Sequence, residues 1–291
     1  MAFLSHLING LGLGSVYAII ALGYSMVYGI AKMLNFAHGD VIMVGAYVSY
    51  ILLSSFGIPL LPSVGLSVVV CLVLGVTIEK LAYKPLRQAG NLAVLITAIG
   101  VSYFLQNGAQ LVWGADTKIY PAVMNFGAIK AGELSINYLT LITIATNIII
   151  MILLTLFINY TKTGSAMRAC SEDKGAAILM GIDVNKIISI TFAIGSGLAA
   201  IAAVLLCATY PSVYPTLGSL PGIKAFTAAV FGGIGSIPGA FLGGLLLGII
   251  EILAKAYIST QLSDAIVFGV LIVVLLIKPT GLLGKKISEK V

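Results

Sequence analysis

Charge is what this sequence has least of. Lys and Arg number 16 and Asp and Glu 10 in 291 residues, or 9% charged, where soluble domains carry roughly 25%. Such a chain cannot cover a water-facing surface, and its mean hydropathy of +1.11 places it among polytopic membrane proteins. Only two histidines are present, and Cys71, Cys170 and Cys207 show no metal-ligand spacing. No metal is expected, and the cysteines read as unpaired small thiols. No Walker-type motif occurs. The runs Gly10–Gly14 and Gly232–Ser236 lack the following Lys-Ser/Thr and sit in apolar segments, where glycine serves packing or bending. No cofactor is expected, and no nucleophile–base spacing supports an enzyme. The net charge of +6 is not a nucleic-acid signal, because the basic residues lie in short clusters between apolar spans. No charge precedes Lys32, so the basic region of a signal peptide is missing and the N-terminus reads as a retained first span.

What is present is apolar length. A span needs about 20 apolar residues, and candidates run over 7–31, 40–56, 58–79, 91–113, 138–160, 187–209, 222–257 and 264–278. The basic residues then orient them. Lys80, Lys84 and Arg87 mark one cytoplasmic loop and Lys162, Arg168, Lys174 and Lys186 another; Lys278, Lys285, Lys286 and Lys290 place the C-terminus inside. The opposite face receives 114–137, balanced in charge by Asp116, Lys118, Lys130 and Glu133 and carrying Trp113 and Tyr120, as interfaces do. These signs require an odd number of crossings after 187–209. The long region 222–257 is broken by Gly232, Gly233, Gly235 and Pro238, and parity is met if it divides into a short inward segment, 222–233, and an outward one, 239–257. A plain kinked helix with an external C-terminus is the alternative. The fold expected is an all-α polytopic membrane protein of about 8–9 segments, one transmembrane domain over 1–291, with its N-terminus outside. A second polar, Gly-containing break at 34–47 allows a two-fold internal repeat.

Three stretches carry chemistry. The region 161–186 is a polar island with seven charged residues between long uncharged segments, and Ala169–Met180 is predicted as a short helix stopped by Gly181. An ordered loop at a membrane face suggests a docking site. In the break near the start, Asn35, His38 and Asp40 could hold a proton, a cation or an ammonium group. Ionisable groups at membrane depth cost about 2.5–3.5 kcal/mol for Asp and usually face a cavity. Alternatively, Asp40 caps the second helix in a tight surface loop. Near the end, Glu251 and Lys255 are spaced for an i,i+4 ion pair, whereas Lys224 and Asp264 read as segment-end residues that snorkel. No carboxylate stands mid-span with a clear partner, which argues against a proton- or sodium-coupled carrier.

Three stretches, Asn35–Asp40 with Met43–Tyr47, Gly164–Ala169 with Asp173, Ala176, Ala177, Gly181 and Ile182, and Lys224–Ala240, carry a resemblance that covers essentially the full length. With them the sequence resembles the permeases of high-affinity branched-chain amino-acid ABC importers, in particular the smaller of the two paired permeases. It implies a bacterial-type plasma (inner) membrane location. The implied partners are a second homologous permease, two cytoplasmic ATPase subunits and an extracytoplasmic solute-binding protein that delivers leucine, isoleucine or valine. It also implies that Ala169–Gly181 is the helix coupling the permease to its ATPase, with Gly164, Met167, Arg168, Ala169, Asp173, Ala176, Ala177, Gly181 and Ile182 as coupling residues. Gly175 stands where importers commonly carry Glu, which leaves open whether Asp173 or Arg168 makes the main contact. Asn35, His38, Gly39, Asp40, Gly45, Gly232, Gly233, Gly235 and Pro238 are the candidates for the substrate pathway. Relatives in the same family serve urea or other small amides and amino acids, and an ion-coupled secondary transporter is a further alternative.

Overall fold

A computed structural model describes residues 2–87, 89–122, 127–131 and 134–284. Among them nine apolar helices account for almost all of the structure: α1 (Ala2–Ala31), α2 (His38–Ser54), α3 (Leu60–Ile78), α4 (Asn91–Trp113) and α5 (Tyr138–Tyr160) come first. Two short polar helices follow, α6 (Lys162–Glu172) and α7 (Lys174–Leu179), and then the apolar α8 (Val184–Thr209), α9 (Ser219–Gly232), α10 (Ile237–Tyr257) and α11 (Ser263–Ile277). Six are long and apolar enough to cross a bilayer. Strands are minor: β1 (Lys118–Ile119) pairs antiparallel with β4 (Ser212–Val213), and β2 (Ala128–Ala131) with β3 (Leu134–Asn137). The chain is a multi-pass all-α membrane protein. The strands lie at one end of the bundle, the hairpin face; α6 and α7 lie at the other, the loop face.

The expected break falls where the glycines put it. Gly233 and Gly235 have φ of +108° and +90°, the left-handed region that other residues adopt only at a cost. Ser236 then starts α10 by accepting a hydrogen bond from the Gly239 N–H at 3.2 Å, with Pro238 tolerated in the first turn. The short α9 therefore stands as a separate segment. After α11 the chain is back at the loop face, where the Leu282 and Leu283 N–H groups donate to the carbonyls of Phe231 and Gly232 at 2.9 and 2.8 Å. The odd number of crossings that the charge pattern required is present. Glu133, Lys285, Lys286 and Lys290, which also entered that reasoning, lie outside the described residues.

The packing follows an inverted repeat. α1 and α8 run antiparallel through the centre, buried along most of their length. α1 packs along α10 as α8 packs along α3; α9 lies against α1 and α10 as α2 lies against α8 and α3. In each half, a long helix is followed by a stretch that turns back into the body before a short helix begins. His38, at the start of α2, packs on Gly23 of α1, eight residues and about 12 Å before that helix ends. Residues 210–218 return in the same way from the hairpin face. The first turns of α2 and α9 thus meet inside the bundle, pointing in opposite directions. Half-helices in inverted repeats are a known membrane-protein arrangement, tolerated because the irregular backbone is buried in protein.

That meeting is backbone against backbone. A Cβ at Gly39 would lie 2.5 Å from the Gly218 carbonyl oxygen, and one at Gly218 would lie 1.7 Å from the Gly39 oxygen. Neither neighbour is a side chain that could move aside. Overpacking of a tight core typically costs about 1–3 kcal/mol, and Gly218→Ala is expected to reach at least the upper part of that range. Thermal unfolding of the purified variant in nanodiscs should show a clearly lowered midpoint; a midpoint equal to that of the unsubstituted protein would contradict so close a crossing.

Candidate functional site

At the crossing, α2, α4 and α9 bring polar groups together. Asp40, in the first turn of α2, is buried, and its carboxylate accepts from Gln106 Nε2 of α4 at 2.9 Å. The same Nε2 lies 3.2 Å from Ser102 Oγ and 3.4 Å from Ser219 Oγ, the latter at the start of α9. Asp40 does not cap α2. The N-cap position is Ala37, no side chain bonds to the helix end there, and the carboxylate is turned to α4. Asn35 accepts from the Tyr83 hydroxyl at 2.8 Å. The His38 ring stands edge-on to Tyr24 at 4.6 Å, with Nε2 against the Gly23 backbone and without a hydrogen-bond partner among the described residues. Gly45 gives room to Ala200 of α8.

The other pathway candidates do not join this group. Gly232, Gly233, Gly235 and Pro238 form the α9–α10 turn at the loop face, with Gly235 against Gly29 of α1. They stand about 20 Å from Gly218, the length of α9. What meets the start of α2 is the other end of α9, the Gly218–Gly222 stretch. In the sequence the break at the glycine-rich end is conspicuous, whereas Gly218, Ser219 and Gly222 precede an ordinary apolar run.

Buried carboxylates are more numerous than the sequence suggested. Glu79 is fully buried beyond α3, pairs with Arg87, and accepts from the Ser189 hydroxyl of α8. Glu251 of α10 is also buried. It accepts from Lys255 at 2.6 Å, Lys224 at 2.8 Å and the Tyr17 hydroxyl of α1 at 2.9 Å. Lys224 does not snorkel. It is buried and bridges Glu251 to Asp264, 2.7 Å away. The two glutamates occupy matching places in the inverted repeat: each sits on the helix packed along a central helix, accepts a hydroxyl from that helix, and has a cation beside it. The local sequences agree, with Ile78-Glu79 and Ile250-Glu251 each followed after one residue by Leu-Ala. That echo was the available signal for both clusters and for the repeat.

The second candidate is the α6–α7 loop. It is not one helix. Asp173 has an extended backbone (φ −153°, ψ 113°) and divides Ala169–Met180 in two. Its carboxylate accepts from the N–H groups of Gly175 and Ala176 at 2.7 and 3.0 Å, capping α7. Thr161 caps α6 through the Gly164 N–H at 2.9 Å, and Asp183 caps α8 through Lys186. Gly181, at φ +79°, ends the unit. Arg168 reaches back to the Ile158 carbonyl and to Ser165. Lys174 Nζ donates to the last carbonyl of α1, Ala31, at 2.7 Å. Burial first, then the nearby charges of Arg87 and Lys32, hold the Lys174 ammonium below the ordinary lysine range.

The coupling candidates therefore divide. Gly164, Met167 and Ala177 are buried and Ala169 and Ile182 half-buried, so they shape the unit. A Cβ at Gly164 would meet the carbonyl oxygens of Phe157 and Ile158 at 2.4 Å. Arg168, Asp173 and Ala176 are exposed, but the first two side chains are engaged within the chain. The residues that project freely are Ile178, Leu179 and Met180, 61%, 88% and 81% exposed, although in the sequence they read as ordinary apolar residues of a helix.

Residues 6–275 match the family described as the permease component of the branched-chain amino acid transport system. The high-affinity branched-chain amino acid transport system permease protein BraD of Pseudomonas aeruginosa is 46% identical, over 99% of this chain and 98% of that protein. The corresponding protein LivH of Escherichia coli K12 is 45% identical over the same shares. A solved structure described as PsaBC from Streptococcus pneumoniae in complex with Fab is similar in fold, with a TM-score of 0.50 at 16% identity over 94% of this chain and 91% of that one.

The capping role of Asp173 has a direct consequence. Losing an N-cap carboxylate costs about 1 kcal/mol, or roughly fivefold in a local opening equilibrium. In Asp173→Ala, amide hydrogen exchange should accelerate by about that factor across 174–180 and stay unchanged in α8. Unchanged exchange in 174–180 would show that the cap does not hold α7.

Proposed function

The chain belongs to the family of branched-chain amino acid transport system permeases, and from that premise we propose that it is one membrane subunit of an ATP-driven importer of leucine, isoleucine and valine. Its partners are a second homologous permease, two cytoplasmic ATPase subunits, an extracytoplasmic solute-binding protein and the lipid bilayer. The whole chain acts as a single transmembrane domain in a bacterial-type plasma membrane. It is not itself an enzyme; hydrolysis takes place in the ATPase subunits. The names of the relatives favour branched-chain amino acids over urea or other amides. The loop face, with its Lys and Arg, is cytoplasmic, which places the C-terminus inside and the N-terminus outside. The substrate passes beside the crossing of α2 and α9, near Asn35, His38, Gly39, Asp40 and Gly45. The turn at Gly232, Gly233, Gly235 and Pro238 borders the cytoplasmic mouth.

One observation carries the coupling role. α6 and α7 are tied to the bundle by their own caps, by Arg168 and by Lys174, while the tip at Ile178, Leu179 and Met180 stays uncovered. Three adjacent exposed apolar residues in a polar loop outside the membrane-spanning segments suit a cleft on a partner protein. Gly164, Met167 and Ala177 keep the unit rigid, Ala169 and Ile182 pack its sides, and Gly181 turns the chain into α8. Asp173 and Ala176 set the start of α7. A shift of the ATPase reaches the bundle through this one piece.

Burying a leucine is worth about 1.5–3 kcal/mol, so Leu179→Asp should weaken association with the ATPase subunits roughly ten- to hundredfold. ATP-dependent leucine uptake into proteoliposomes should fall with it, while the permease itself folds and inserts as before. Normal co-purification together with normal uptake would remove the coupling role. Topology is checked separately: a membrane-impermeant maleimide should label Glu172→Cys only from the cytoplasmic side, the three native cysteines being buried. Labelling from outside would reverse the orientation.

A further inference from the structure

Of the buried carboxylates, Asp40 is the odd one. Glu79 has Arg87, and Glu251 has Lys224 and Lys255. Among the described residues no cationic side chain lies within 4.0 Å of Asp40. His38, two residues earlier, turns its ring to Tyr24 and Gly23. The free N–H groups and the dipole at the start of α2 favour negative charge at this position. Even so, a carboxylate inside the membrane without a cation is expensive, and such residues mark substrate or ion pathways. The two compensated glutamates tie helices together. Among the described residues Asp40 is held by neutral groups alone.

The surroundings specify which cation fits. Gln106 Nε2 sits among three oxygens: Asp40 Oδ1 at 2.9 Å, Ser102 Oγ at 3.2 Å and Ser219 Oγ at 3.4 Å. An amide NH2 has two hydrogens for these three acceptors, whereas an ammonium group has three. It also brings the missing charge, and charge-assisted hydrogen bonds are about twice as strong as neutral ones. A metal ion such as Ca²⁺ would need six or more oxygens.

The access is of the right kind. Ser102, Gln106 and Gln110 recur at four-residue intervals on α4, a polar stripe along one side of the helix. At its loop-face end a cleft of 350 Å³ opens between the end of α1 and the start of α4, lined by Tyr28, Lys32, Met33, Leu34 and Leu95 among others. Leu95 lies two turns before Ser102, on the same side of α4 and about 10 Å away.

We propose that Asp40, with Ser102 and Ser219, receives the α-ammonium group of the amino acid as it crosses the membrane, the Gln106 amide holding the place between substrates. This rests on the reading of the chain as an amino-acid permease. Substrate binding displaces the amide and satisfies the three oxygens, so the site discriminates against molecules that have a branched aliphatic chain but no amine.

The test uses the assembled importer with its binding protein in proteoliposomes. In Asp40→Asn, leucine uptake should fall roughly thirtyfold or more, the effect of removing one partner of a buried charge pair, while ATP hydrolysis stimulated by the loaded binding protein persists. Uptake in Asp40→Asn at the unsubstituted rate would overturn the proposal. A second measurement needs no variant. In the importer without its binding protein, in nanodiscs, isoamylamine and leucine should raise the thermal unfolding midpoint and 4-methylpentanoate should not. Equal effects of the amine and the acid, or an effect of the acid alone, would also overturn it. Failure of the family reading looks different: the unsubstituted complex would then take up no leucine in the presence of ATP.

Discussion

The contact of Gly39 with Gly218 is the constraint on which the rest of this bundle turns. Two helices can begin inside a membrane protein only if the chain before each has re-entered from a surface, and only if their first turns are enclosed by other protein. α1 and α8 supply that enclosure, which is why these two helices are buried and antiparallel at the centre while α4 and α5 stay largely uncovered. The closeness of the approach excludes side chains at both positions, so the polar groups gather one residue further on, at Asp40 and Ser219. The crossing thus sets both the repeat and the chemistry.

The buried carboxylates differ in how they are compensated. Burying an ion pair rarely adds much net stability, because desolvation offsets the attraction, but breaking one leaves a buried charge and is strongly destabilising. Glu79 and Glu251 therefore act as locks between particular helices: Glu251 joins α1, α9 and α10 and, through Lys224, α11. Their places in the inverted repeat put one lock toward each face. Asp40, between them, is bonded by the neutral Gln106 amide and has no cation beside it among the described residues.

Much of this was legible in the sequence. The spans, the all-α class, the separate short segment before Gly232 and the return of the chain to the loop face followed from apolar length, glycine and charge, because a bilayer leaves few other solutions. The polar island at 161–186 and the break at Asn35–Asp40 were also recognised. Tertiary detail was not. That Asp173 caps α7 was not evident, since a carboxylate before Lys-Gly-Ala reads equally well as a charged surface group or a helix start. Ile178, Leu179 and Met180 looked like ordinary apolar helix residues, because periodicity in so short a helix cannot say which side is covered. Lys224 looked like a segment-end lysine because its partners, Glu251 and Asp264, are 27 and 40 positions away. The likeness of Glu79 and Glu251 was in plain view, but in opposite orientations, and an inverted repeat preserves few residues beyond those that hold it.

The loop and the crossing are connected through α1. Lys174 is bonded to the last carbonyl of α1. Two residues earlier in that helix, Gly29 lies against Gly235 in the turn between α9 and α10; six residues before that, Gly23 lies against His38 at the start of α2. The polar loop, the end of α9 and the start of α2 are therefore packed in sequence along about 12 Å of one helix. The first link is the Lys174 side chain; at Gly29 backbone meets backbone and at Gly23 the His38 ring rests on backbone, with little slack to absorb a displacement. A displacement of the end of α1 therefore meets both the α9–α10 turn and the start of α2, two residues from Asp40, through closely packed backbone.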